Sequence, residues 1–146
     1  MKIFLDTSSL FKLYHQEEGT EELEKVFSHA KITHIFLSEI AKVEFTSTIW
    51  KKVRTKEITV EQAEITLELF ESDFAKYNFE TTDSLILEQA RNLTTKYGME
   101  GLRTLDSIQL STCITLAKQI DAFYTADILL NILIEKEGLP TKMPSR

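Results

Sequence analysis

KIFLDTSS, residues Lys2–Ser9, is the stretch from which the fold follows. Ile3, Phe4 and Leu5 form a short unbroken apolar run, the pattern of a strand buried on both faces. Asp6-Thr7-Ser8-Ser9 then supplies turn and helix-cap chemistry. Leu10, Phe11, Leu13 and Tyr14 follow in a short helix that ends near Glu17-Glu18-Gly19. A strand with no polar face needs a covering layer above and below it. The chain downstream should therefore provide helices for both sides.

It does so in a regular order. Thr20 can cap a helix from Glu21 to about Ala30, and His34–Leu37 reads as a second strand. Ser38 can cap a long helix from Glu39 to about Thr55, with Ile40, Val43, Ser47 and Trp50 as its inward stripe. Thr59 and Gln62 form a capping box for a helix to about Tyr77, and Phe79 sits in a short extended link, a candidate third strand. A helix from about Asp83 to Tyr97, carrying Leu85, Ile86, Gln89, Ala90 and Leu93, is stopped by Gly98. Asp106 opens a helix to about Gln119, Ala122–Thr125 is a strand, and Ile128–Glu137 is a helix closed by Gly138. Strands separated by helices cannot pair as hairpins, so the expected fold is α/β: a short parallel sheet flanked by helices on both faces. Such sheets work beyond the carboxyl ends of their strands.

The 146 residues suit a single domain, 1–146, with no repeat or linker. With 4 Gly and 2 Pro, both prolines in the tail, the chain reads as mostly helical. The net charge of −6 argues against broad, metal-free binding to phosphate backbones, although a metal can reverse the local sign at a site. Cys113 is the only cysteine and falls at an apolar helical position, so it reads as a small buried hydrophobe. Neither a signal-peptide pattern nor an apolar run of ~20 residues is present, which makes the cytoplasm the expected location and a membrane role unexpected.

Four acids carry the chemistry. Asp6 and Asp127 each follow a strand-like run, Asp106 begins a helix, and Glu44 lies at the margin of an apolar helical stripe. Taken singly, the three aspartates are explained by capping, with Gln109 completing a capping box for Asp106. Glu44 has no capping explanation and lies either at the surface edge of its helix or in a polar pocket. If the fold gathers all four, they cannot all remain ionised without a cation, and an all-oxygen set favours Mg²⁺ or Mn²⁺. Ser8 and Thr125 are candidate auxiliary hydroxyls that orient the carboxylates. His15, His29 and His34 lack ligand spacing, which speaks against zinc. Lys51, Lys52, Arg54 and Lys56 are either a solvated helix end or contacts to phosphates flanking an acidic centre. Phe11, Tyr14 and Trp50 read as core rather than as a base-stacking platform.

LDTSSLFKLY (Leu5–Tyr14), SEIAKVEFTSTI (Ser38–Ile49), LRTLDSIQLSTC (Leu102–Cys113) and FYTADILL (Phe123–Leu130) together resemble the PIN-domain ribonucleases, and within them the VapC-type toxins of toxin–antitoxin pairs. The resemblance covers nearly the whole chain. It implies a three-layer PIN-like fold and a Mg²⁺- or Mn²⁺-dependent ribonuclease, with Asp6, Glu44, Asp106 and Asp127 as catalytic and metal-holding residues. It further implies an RNA substrate, a homodimer and a small cognate antitoxin. Ser107, Gln109 and Ile128 depart from residues common in the family, at places that bear on packing and the rim of the site.

Other classes fit less well. An aspartyl phosphatase wants a second Asp where Ser8 stands, and a receiver domain wants its acceptor after a central strand with a lysine nearby. A non-catalytic RNA-binding or scaffold domain, or a housekeeping PIN enzyme of RNA processing, are the remaining alternatives.

Overall fold

The structure is a computed structural model that describes residues 1–29 and 31–144. Its described residues form five strands and seven α-helices. Strand β1 (Lys2–Leu5) leads to α1 (Thr7–Phe11) and α2 (Thr20–His29), and β2 (His34–Ser38) leads to α3 (Ala41–Arg54) and α4 (Val60–Ser72). Strand β3 (Asn78–Glu80) precedes α5 (Ser84–Lys96) and α6 (Thr104–Thr115), and β4 (Ala122–Tyr124) precedes α7 (Ile128–Lys136) and β5 (Thr141–Lys142). The strands order as β3-β2-β1-β4-β5, all parallel, with β1 in the centre. Ala30, the expected end of α2, lies outside the described residues.

Side chains alternate across a strand, so β1 feeds two cores. Ile3 and Leu5 pack with Leu10, Leu23, Leu37, Ala41, Phe45 and Phe70 on one face. Phe4 packs with Leu110, Cys113, Phe123, Leu130 and Leu133 on the other. Helices α1–α4 thus cover one side and α5–α7 the other, which completes three layers. Among the described residues no helix is long and apolar enough to cross a membrane.

Several sequence expectations shift. The inward stripe of α3 is Ala41, Phe45 and Ile49, whereas Val43 is 73% exposed. Both stripes have helical spacing, and the one with the larger apolar area wins: the Phe45 ring lies 4.2 Å from that of Phe70. On α5, Ile86, Ala90 and Leu93 are buried but Leu85 points outward. Helix α3 starts at Ala41 rather than Glu39, although the Ser38 hydroxyl still accepts a bond from the Ile40 N–H at 3.3 Å. Helix α4 stops at Ser72, because Phe74–Lys76 turns to carry the chain into β3. Helix α5 ends at Lys96, before Gly98, and the left-handed residue of that connection is Gly101 (φ 92°). Helix α6 ends at Thr115 rather than near Gln119. The capping box of Thr59 and Gln62 forms as expected.

If Phe45 anchors α3, Phe45→Ala should destabilise the protein by about 3–4 kcal/mol, while Val43→Ala stays within ~0.5 kcal/mol of wild type. Urea denaturation of both variants checks this. Equal losses would restore the Val43 stripe.

Candidate functional site

The register of the sheet builds the site. Leu5 pairs with Tyr124, so Asp6 and Thr125 leave the ends of β1 and β4 side by side. The Asp6 N–H donates to the Tyr124 carbonyl (3.1 Å) and extends the ladder by one step. Asp6 is also the N-cap of α1, with Oδ1 accepting from the Ser9 N–H at 2.9 Å. The Thr125 hydroxyl donates to Asp6 Oδ2 at 2.5 Å, and the Ser8 hydroxyl donates to both oxygens at 2.7 and 2.9 Å. These two hydroxyls in turn accept from the next loop: Ser8 Oγ from the Ala126 N–H and Thr125 Oγ1 from the Asp127 N–H, both at 3.0 Å. Asp127 caps α7 through the Leu130 N–H at 2.7 Å.

Asp106 does not cap its helix. Helix α6 begins at Thr104 with Arg103 at the N-cap, which leaves Asp106 in the first turn. The supposed capping partner Gln109 is buried and donates instead to Glu44 Oε1 (2.9 Å) and Thr7 Oγ1 (3.1 Å). The Thr7 hydroxyl donates to the same Glu44 oxygen at 2.8 Å. Glu44, on α3, is thereby tied to α1 and α6. Thr7 and Gln109 are the participants that sequence reasoning missed. The departure of Gln109 from the residue common in the resembled family was the one available signal.

Asp6, Glu44, Asp106 and Asp127 all line one cavity of about 340 Å³ beyond the carboxyl ends of the central strands. Four separate elements deliver them. The electrostatics register the crowding. Burial pushes the Asp6 carboxyl up to about 6, against the lowering effect of its bonds from Thr125, Ser9 and Ser8. Asp106 is raised first by burial, then by the charges of Asp127 and Glu44, with Arg103 opposing. Among the described residues, no three acidic, histidine or cysteine side chains converge closely enough to cage an ion as they stand. The donor chemistry fits a hard cation, being all oxygen. An open spacing suits an ion that keeps part of its water.

His15 packs against Phe11 at 5.3 Å between ring centroids, His34 is exposed beside Phe36, and the side chain of His29 lies outside the described residues. Phe11 is core, as expected, and also forms part of the cavity wall. Cys113 is fully buried, and that burial pushes its thiol well above the ordinary range, so it is no nucleophile.

The domain is a parallel three-layer α/β fold with carboxylates gathered at the end of its central strands. The chain belongs to the PIN-domain family, whose model matches residues 3–130. Solved structures agree with the fold. Mycobacterium tuberculosis VapC20, described as a toxin that cleaves the sarcin-ricin loop, is 16% identical over 94% of this chain and 95% of its own, with a TM-score of 0.69. VapBC2 from Rickettsia felis, solved on a DNA fragment from its promoter, is 17% identical over 98% of both chains, with a TM-score of 0.66. VapBC-1 from nontypeable Haemophilus influenzae is 14% identical over 99% of this chain and 98% of its own, with a TM-score of 0.66. Likeness at such identities is one of fold. No protein of curated function matches the chain.

The raised Asp6 pKa fixes a pH dependence for the metal-free protein. A carboxyl whose pKa is higher folded than unfolded contributes stability that is full below the unfolded value, near 4, and is lost as pH rises through about 6. In EDTA, wild type should lose on the order of 2–3 kcal/mol between those limits from this group. Asp106→Asn, which removes one source of repulsion, should be at least as stable as wild type at neutral pH, with the difference shrinking on acidification. Denaturation curves across pH test both. A large destabilisation of Asp106→Asn at neutral pH would return Asp106 to a structural role.

Proposed function

We propose that the cavity is the active centre of a metal-dependent endoribonuclease, and that the protein is the toxin of a type II toxin–antitoxin pair. The observation that carries this reading is the delivery of four carboxylates by four elements to one cavity. Membership of the PIN family supports it, as do the VapC and VapBC proteins among the structural neighbours.

Asp6, Glu44, Asp106 and Asp127 would hold Mg²⁺ or Mn²⁺. Such an ion supplies a water of lowered pKa and offsets negative charge on the phosphoryl oxygens. The chain's own residues then position and hold. Thr125, Ser8 and the Ser9 N–H fix both oxygens of Asp6. Thr7 and Gln109 bond Glu44 through Oε1, so that Oε2 carries neither of those bonds. Asp127 is held by the Leu130 amide at the start of α7. Among the described lining residues of the cavity there is no histidine to act as general base.

The substrate is RNA. The proposed partners are a second copy of the chain and a small cognate antitoxin, in the cytoplasm. The DNA-bound VapBC structures from Rickettsia felis and Salmonella typhimurium support an antitoxin partner.

Purified wild type and Asp106→Asn, assayed on structured RNAs including tRNA with Mn²⁺, Mg²⁺ or EDTA, test the assignment. Cleavage should require the metal and fall roughly 100-fold or more in the variant. Equal cleavage by a folded Asp106→Asn protein would remove the four-carboxylate site. Stoichiometric RNA binding without turnover would indicate a scaffold instead.

A further inference from the structure

Lys51, Lys52, Arg54 and Lys56 stand together at the carboxyl end of α3, where the helix dipole favours cations. The structure separates them. Lys51, Arg54 and Lys56 are exposed, whereas Lys52 is half-buried and lines the acidic cavity. Helical arithmetic explains the difference. Glu44, Thr48 and Lys52 are four residues apart and stack on one stripe of α3, and all three line the cavity. From Glu44 to Lys52 the helix rises ~12 Å. The cavity therefore runs from a four-carboxylate end to an end with a cation, and Lys52 is the one basic residue among its described lining residues.

Lys52 is also held in place. Its Nζ lies 5.5 Å from the centroid of the Phe11 ring, itself part of the cavity wall. The turn after α3 folds back on it, with the Glu57 and Ile58 N–H groups both donating to the Lys52 carbonyl, at 2.9 and 3.3 Å. A positive φ of 63° at Lys56 makes that reversal possible. The result places the Glu57 carboxylate 3.1 Å from Lys52 Nζ, with Glu57 the more exposed partner of the pair. An exposed carboxylate on a positioned ammonium occupies the place a phosphate oxygen would take.

We propose that Lys52 binds a backbone phosphate of the RNA flanking the scissile one, and that Glu57 competes for the same ammonium when RNA is absent. This rests on the nuclease reading above. It adds a polarity to the site: a polyanion crossing five acidic lining residues, Glu17 among them, meets one basic lining residue, Lys52, while Arg103 lies outside that lining beside Asp106.

The test uses the full-length protein as wild type, Lys52→Met, Lys52→Arg and Glu57→Gln, with a cleaved RNA and saturating metal. Lys52→Met should lower kcat/KM about tenfold, chiefly through KM, and reduce the salt slope of log(kcat/KM) by roughly 0.7. Lys52→Arg should restore most of the loss. Glu57→Gln should move the other way and lower KM two- to fivefold. An ion pair with only a structural role would cost both single variants melting temperature and leave both KM values unchanged, which overturns the proposal. Wild-type KM and salt slope in Lys52→Met would do the same while leaving the nuclease reading intact. If wild type binds without cutting, fluorescence anisotropy of a labelled oligoribonucleotide with Mn²⁺ gives the same comparisons through Kd. Absence of both cleavage and binding by wild type removes the nuclease reading and this one with it.

Discussion

The Asp6 carboxylate sits at the end of the central strand with almost no access to water, a position that costs free energy unless other groups satisfy the charge. The chain satisfies it from three directions. The Ser9 amide belongs to α1, the Ser8 hydroxyl links to the Ala126 amide, and the Thr125 hydroxyl links to the Asp127 amide. The Ser9 amide is a local cap, but the Ser8–Ala126 and Thr125–Asp6 contacts depend on β1 and β4 being neighbours in parallel, with Leu5 opposite Tyr124. A slip of one residue would exchange the faces of β4 and move Thr125 away from Asp6. The two apolar cores and the polar cluster at the strand ends are therefore one constraint. The register that buries Phe4 on one side and Leu5 on the other is also the register that ties Asp6 to the Asp127 loop.

Helix α3 serves two masters through its two stripes. Ala41, Phe45 and Ile49 fasten it to the sheet, while Glu44, Thr48 and Lys52, each three positions on, face the cavity. Adjacent positions on a helix lie about 100° apart, so a rigidly packed stripe fixes the direction of its neighbour. The aromatic packing of Phe45 against Phe70, Phe11 and Tyr14 thus does more than stabilise. It holds Glu44 within reach of Thr7 and Gln109, and Lys52 over Phe11.

What the sequence revealed of this arrangement was whatever depends on near neighbours. Ile3-Phe4-Leu5 announces a doubly covered strand, and the capping chemistry of Asp6 and Asp127 follows from the three residues after each. The contacts of Gln109 escaped because its partners are 65 and 102 positions away, and at short range it mimics the end of a capping box. The face of α3 escaped for a different reason. Ile40-Val43-Ser47 and Ala41-Phe45-Ile49 have the same periodicity, and only the packing of a whole aromatic cluster chooses between them. Strand β5 is two residues long in a proline-flanked tail, and its pairing with β4 supplies the order that its own sequence lacks. Asp106 was legible as a first-turn acid, but its freedom from capping duty depends on α6 starting two residues earlier than the acid suggests.

The net charge of −6 then takes on a different meaning from the one composition gives it. An acidic protein repels a polyanion at long range, and screening confines that repulsion to about 8 Å at physiological salt. Within that distance the local arrangement decides. Burial, with neighbouring negative charge adding to it, raises Asp6 and Asp106 above the ordinary carboxylate range, so a cation that neutralises them relieves both costs. A site of this kind is inactive toward phosphate until charged with metal and then attracts it strongly, because the sign of its field reverses. In the proposed nuclease, weak intrinsic affinity for nucleic acid and strong metal dependence would be one property of the same four carboxylates. In that proposed reading the Lys52 ammonium, eight residues along α3 from Glu44, would extend the reversed field toward the carboxyl end of that helix.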